Sequence, residues 1–311
     1  MNVMADIYEK ARSDPQKVAF PEATEEKILL AAREAYEKGI CKPVLVGNAA
    51  DITASALLYQ VELSGMTVVD ATRNDWLDDL IEKYVQLYPI NSIKTMQRKS
   101  KDPLYIALMM EAVGEVDCVF AGLSHTTGDV IIAAQLVIGL AEGVSTVSSV
   151  GIMDVPGYEG SEGNLLAFGD SAVCANPSAE ELAGIAISAC ETVESLLGWE
   201  PRCALLSFST DGSTEHPLVD KVKEAVQIAH KTRPELKIDG EFQLDTAISP
   251  KIAAKKVKRE SAVAGQANII IWPDLNAGNI GIKLVQQFAR ADAYGPMLQG
   301  FAKVVSDCSR G

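Results

Sequence analysis

Residues 102–139 read DPLYIALMMEAVGEVDCVFAGLSHTTGDVIIAAQLVIG. DPLYIALMMEAVG predicts a helix, and Gly114 suits its end. DCVFAGL (117–123) predicts a buried strand, and the stretch from Gly128 onward carries apolar residues at helical period. Helix, strand and helix joined by short turns form the repeating unit of a parallel sheet.

The same alternation extends in both directions. KVAF (17–20) precedes a helix over 24–39, TEEKILLAAREAYEKG, opened by Thr24 and closed by Gly39. PVLVG (43–47) and MTVVD (66–70) predict strands, and NDWLDDLIEKYVQLY predicts a helix. Toward the C-terminus, VSTVSSVGIM and LLAFGDSAV predict strands joined by a Gly-rich turn, PGYEGSEGN, that suits an antiparallel hairpin. PSAEELAGIAISACETVESLLG predicts a long helix in which Ser178 and Glu181 form a capping box. CALLSFS, HPLVDKVKEAVQIAHKT, ANIIIWPD and AGNIGIKLVQQFARA then predict strand, helix, strand and helix. The expected class is α/β with mixed, mainly parallel sheets. A chain of 311 residues exceeds the usual size of one core, so two domains are expected.

Composition narrows the function. With 48% hydrophobic and 23% charged residues the chain is an ordinary globular protein. Its net charge of −14 disfavours general binding to nucleic acid or to an anionic membrane. The start, MNVMADIYEKARSD, has early acidic residues and no uninterrupted apolar stretch, so no signal peptide is expected. No apolar run approaches the roughly 18 residues of a membrane span. Six scattered cysteines without a CxxC pair suggest reduced thiols in a cytoplasm. His125, His216 and His230 lack metal-ligand spacing.

Three strand-to-helix junctions are rich in small and hydroxyl residues: AGLSHTTGD (121–129), SFSTDGSTEHP (207–217) and PDLNAGNIG (273–281). Ligands of parallel α/β folds bind beyond the carboxyl ends of strands, where helix N-termini offer free N–H groups to anions. The same residue types also serve as plain caps and turns. No phosphate-binding P-loop and no strand-linked dinucleotide fingerprint is present, which disfavours a nucleoside triphosphate or a dinucleotide. His125 reads as a hydrogen-bonding residue of its turn, Lys283 as a helix-face lysine, and Asp274 and Asp307 as caps or charge partners.

Taken together in order, DPLYIALMMEAVGEVDCVFAGLSHTTGD, VSSVGIM, LSFSTDGS, PDLNAGNIGIKLVQ, GPMLQG and the final SRG resemble the phosphate acetyltransferase and butyryltransferase family. The resemblance spans nearly the whole chain. It implies two α/β domains with a cleft between them, a fold like that of isocitrate and isopropylmalate dehydrogenases. The first would hold residues 1–143 plus 295–311, and the second residues 144–294. It implies a cytoplasmic homodimer that moves a short acyl group, acetyl above all, between coenzyme A and inorganic phosphate, with no metal or prosthetic group.

It further implies that Ser309 steadies the developing oxyanion or the thiol, and that Arg310 binds the phosphoryl group. The substrate-binding residues it implies are Ser124, His125, Thr126, Thr127, Ser207, Ser209, Asn276, Asn279, Lys283 and Gln299. The chain departs from the family at three arginine positions, here Tyr88, Ile132 and Gln287. Arg290 lies one turn beyond the last, and Lys94, Arg98, Lys99 and Lys101 lie near the first. The family's thiol base is an aspartate a few residues beyond SRG, followed by a closing helix, so the natural chain is expected to continue past Gly311. The departures motivate an alternative, a catalytically impaired paralogue that binds CoA or acyl phosphate. A two-domain hydroxy-acid dehydrogenase shares the fold, but the chain has neither its dinucleotide fingerprint nor a metal-binding aspartate cluster.

Overall fold

A computed structural model of the chain describes residues 3–142 and 144–308. Strands alternate with helices in two compact units, one taking in residues up to 141 together with the segment from 301 onward, the other residues 142–300.

The first unit runs α1 (Val3–Ser13), β1 (Gln16–Phe20), α2 (Glu26–Glu37), β2 (Cys41–Gly47), α3 (Ala49–Leu58) and β3 (Thr67–Asp70). It continues through α4 (Asn74–Leu87), α5 (Ile93–Lys99), α6 (Pro103–Ala112), β4 (Cys118–Ala121) and α7 (Thr127–Val137). After the second unit the chain returns as β11 (Val304–Asp307). The five strands lie in the order β11-β4-β1-β2-β3, and every pairing is parallel. The chain therefore reverses direction of travel between β1 and β4, the switch point at which parallel sheets open a crevice. Phe20, Leu29, Leu45 and Ile52 lead its core. α6 is buried along its whole length from Leu104 to Ala112, which is why its sequence is apolar on every side. Asp102 caps it, accepting from the Leu104 N–H, and Pro103 occupies the position that has no hydrogen bond to lose.

The second unit runs β5 (Ser148–Asp154), β6 (Leu165–Gly169), α8 (Ala179–Leu197), β7 (Arg202–Leu206), α9 (Pro217–Thr232) and β8 (Lys237–Phe242). It closes with α10 (Leu244–Ile248), α11 (Pro250–Lys256), β9 (Ile269–Ile271), α12 (Leu275–Ala289) and β10 (Asp292–Gln299). Its sheet has the order β10-β5-β6-β9-β7-β8. β6, β9, β7 and β8 pair in parallel, while β5 is antiparallel to both β6 and β10. The antiparallel hairpin expected around 155–170 is formed by β5, β6 and the turn between them. Phe168, Leu206, Phe242 and Ile270 centre a core on which Trp272 and Val285 pack.

Two expectations need correction. Thr24 does not cap α2: Glu25 holds that place and makes no side-chain capping bond. The 117–123 strand is shorter, four residues from Cys118 to Ala121, and is buried only at Val119 and Ala121. The capping box of α8 forms as expected, with Ser178 and Glu181 satisfying each other's backbone N–H groups. No described helix is long and apolar enough to cross a membrane.

Candidate functional site

The β4–α7 junction in the first unit is built around a residue that the pattern of hydroxyls does not reveal. Glu22 lies two residues past the end of β1 and is 5% exposed. Its Oε1 accepts from the backbone N–H groups of Gly122 (3.3 Å), Ser124 (2.9 Å) and His125 (2.9 Å), and its Oε2 from Leu123 (2.8 Å). His125 Nδ1 lies 2.8 Å from the same Oε1, and His125 Nε2 lies 3.2 Å from Asp102. The anion cradle expected at 121–129 therefore exists, but a carboxylate of the protein itself fills it.

The electrostatics follow. Burial would raise the Glu22 pKa, but the donors from His125, Leu123 and Ser124 outweigh it and hold the carboxyl below its ordinary value. Burial would lower the His125 pKa, but the bond to Glu22 and the charge of Asp102 outweigh it and raise that ring above its ordinary value. With Nδ1 on Glu22 and Nε2 on Asp102, the His125 ring has no nitrogen left for a substrate.

The other hydroxyls of the junction are engaged too. Ser124 donates to Glu25 (2.8 Å), and Thr126 forms a capping box with Asp129. Thr127 donates to Asp307 Oδ2 at 2.7 Å, a tie between the start of α7 and the end of β11. The Cys308 N–H donates to the Ala121 carbonyl at 2.8 Å. Gly122 makes that approach feasible: it has φ +110°, and a Cβ there would sit 2.1 Å from Asp307 Oδ1 and 2.9 Å from the Cys308 nitrogen. Ser309 and Arg310 lie outside the described residues.

The other candidates belong to the second unit. Ser209 is fully buried and donates to Glu241 at 2.8 Å, and Ser207 Oγ accepts from the Ser209 N–H. Gln299 is also buried: it donates to Ser148 Oγ (2.9 Å) and the Ile185 carbonyl (3.3 Å) and accepts from Thr192 (3.2 Å). The side chains of Ser209 and Gln299 thus hold β7 to β8 and β10 to α8. Asn276, Asn279 and Lys283 share one exposed face of α12 at the spacing that stacks side chains along a helix. Asp274 caps this helix, accepting from Ala277 at 2.9 Å.

A second internal anion stands beside them. Asp170, 4% exposed, accepts from the backbone N–H groups of Ser149, Ala172, Val173 and Cys174 and from the Ser149 hydroxyl. In both units a buried carboxylate next to a strand end organises a turn by collecting its N–H groups. Glu22, Asp102 and Asp170 are the residues that reading by motif passes over; the signal for the first and third is an acidic residue within two positions of an apolar strand's end, whereas Asp307 is the charge partner expected from the sequence.

Of the positions where the family has arginine, Tyr88 stacks on Tyr84 with ring centroids 5.1 Å apart. Ile132 is 61% exposed and Gln287 is exposed. Lys99 donates to the Tyr105 hydroxyl at 3.1 Å. A hollow of about 320 Å³ lies beyond the carboxyl ends of β1, β2 and β3, lined in part by Thr24, Asn48, Thr72, Ser100 and Lys101. Among the described residues no group of three or more His, Cys, Asp or Glu side chains could hold a metal ion.

Comparison with known proteins gives a consistent set of matches. The family model described as phosphate acetyl/butaryl transferase matches residues 2–311. The phosphate acetyltransferase of Clostridium acetobutylicum is 41% identical over 313 residues, covering 100% of this chain and 94% of its own. Among solved structures, a phosphotransacetylase from Streptococcus pyogenes superposes with a TM-score of 0.90 at 34% identity, covering 99% of this chain and 92% of its own. A phosphotransacetylase from Staphylococcus aureus gives 0.88 at 31% identity, covering 99% and 94%.

Proposed function

Because this chain belongs to the phosphate acetyl/butaryl transferase family, we propose that it moves an acetyl group between coenzyme A and inorganic phosphate. The match of the family model over residues 2–311 carries this reading. The similarity to phosphotransacetylases of known structure over nearly the full chain supports it.

The reaction sets the requirements. The CoA thiol has an ordinary pKa near 8.5, so it is mostly protonated at neutral pH and gives its proton to a general base before attack. The thiolate sulfur then bonds to the carbonyl carbon of acetyl phosphate. The carbonyl oxygen becomes an oxyanion, the bond from carbon to the phosphate oxygen breaks, and inorganic phosphate leaves. An oxyanion needs a hydrogen-bond donor placed in advance, and we assign this to the Ser309 hydroxyl. The phosphoryl group needs a planar, permanent cation, and we assign it to Arg310. No step calls for a metal or a redox group. A cytoplasmic homodimer is the assembly we propose for it.

Ser124, Thr126 and Thr127 are retained as residues that shape the turn next to β11, and Asn276, Asn279 and Lys283 as polar groups available to substrate. The alternative of an impaired paralogue finds no support in the relatives named above, which carry the name of the activity.

The decisive assay is CoA-dependent conversion of acetyl phosphate to acetyl-CoA by the purified protein. Release of phosphate matched to thioester formation is expected. A folded protein that turns over no short-chain acyl phosphate overturns the reading.

A further inference from the structure

We propose that Glu22 is a positioning residue that fixes the point at which the chain enters Ser309 and Arg310. This rests on the assignment of those two residues above.

Glu22 is 5% exposed, and its carboxylate is held by donors of a single turn, residues 122–125. A buried carboxylate is costly unless it is fully hydrogen-bonded, and four backbone N–H groups plus an imidazole satisfy it. The dependence is mutual. Without the carboxylate the N–H groups of Gly122, Leu123 and His125, on buried or half-buried residues, lose this acceptor.

What leans on the turn is the end of β11. Cys308 N–H bonds to Ala121, the residue before the turn, at 2.8 Å. Asp307 takes the Thr127 hydroxyl, just after the turn, at 2.7 Å. Gly122 itself lies so close that a Cβ would meet both Asp307 and Cys308. The chain passes from Cys308 straight into Ser309 and Arg310. A turn locked by Glu22 thus fixes the platform from which those two side chains start, and small displacements of catalytic groups are expensive.

The test compares wild type with Glu22→Gln, Glu22→Asp and Thr127→Val. Amide hydrogen exchange across 302–308 is expected to quicken in Glu22→Gln. In the acetyl transfer assay kcat is expected to fall about tenfold or more, with KM for CoA and acetyl phosphate within about threefold. Glu22→Asp, which keeps the charge, is expected to recover part of kcat. Thr127→Val cuts the second tie and is expected to lower kcat by several fold; it decides the matter if Glu22→Gln does not fold. Unchanged exchange across 302–308 in a folded variant overturns the proposal. So does an unchanged kcat in a folded Glu22→Gln. A wild type without turnover overturns the functional reading instead, and hydrogen exchange then decides the positioning role by itself.

Discussion

Position 111 carries a glutamate with 0% exposure, whose carboxyl faces the Val304 N–H and the charge of Lys303. Burial drives its pKa up, the charge of Lys303 and the Val304 N–H oppose this, and the balance is about 8. In the unfolded chain the same group titrates in the ordinary carboxylate range. Between that range and pH 8 the folded state therefore holds more protons than the unfolded state, so rising pH erodes stability across this window. Glu111→Gln removes the titration. Its stability relative to wild type is expected to improve steadily from about pH 5 to pH 8 and then level off. Urea denaturation of both proteins across that range measures it, and a difference that does not vary with pH would show Glu111 to be charged in the fold. Such groups mark the limit of what single residues announce. A histidine next to two threonines draws notice because few residue types titrate near neutrality, whereas Glu22, the partner that fixes it, lies 103 residues earlier in an unremarkable Phe-Pro-Glu stretch. The roles of His125, Ser209 and Gln299 depend on partners brought by folding, so the residues were legible and their duties were not.

Elements with local causes were the most readable. The α8 capping box, the β5–β6 hairpin and the apolar run of α6 each follow from residues a few positions apart. β10 was not readable: Gly295 and Pro296 interrupt its alternation, and it survives as an antiparallel edge strand with a register shift between Tyr294 and Met297. β8 hides behind Asp239 and Glu241, charges that Arg259 and Ser209 satisfy from elsewhere in the chain. The third junction shows how one residue type can mislead. Its glycines invite the thought of a close-bound anion, yet a Cβ on Gly278 would lie 2.4 Å from the Asp170 carbonyl oxygen and 3.0 Å from the Trp272 ring. Gly278 is there so that α12 can lie against the turn at 170. Alanine inside a helix usually gains about 0.5–1 kcal/mol over glycine. Here overlap with rigid backbone outweighs that gain, and Gly278→Ala is expected to destabilise by roughly 1–3 kcal/mol. A variant that melts at or above the wild-type temperature would show that the packing argument is mistaken.

At the scale of the whole molecule, chain order and folding units do not coincide. Residues 142–300 form a continuous stretch with its own six-stranded sheet and core. The first unit is discontinuous, because its edge strand β11 comes from the far end of the sequence. Exit and return are neighbours: Leu140 and Phe301 form an antiparallel bridge, and the Ala302 N–H donates to the Gly139 carbonyl at 3.1 Å. Insertions tolerate such geometry because the host closes over the gap. The second unit produced alone is therefore expected to unfold in one cooperative transition. The first unit is expected to do the same when residue 140 is joined to residue 301 by a short Gly-Ser linker. Stopped at residue 141, it lacks β11, leaving the β4 edge unpaired and Val119 and Ala121 without their neighbouring strand. That shorter piece is expected to lose its cooperative melt and to bind dyes that report exposed apolar surface. Circular dichroism melts of the three pieces decide the point: if the piece stopped at 141 melts as sharply and as high as the linked one, β11 contributes nothing to the unit, and the end of the chain is held by something other than its sheet.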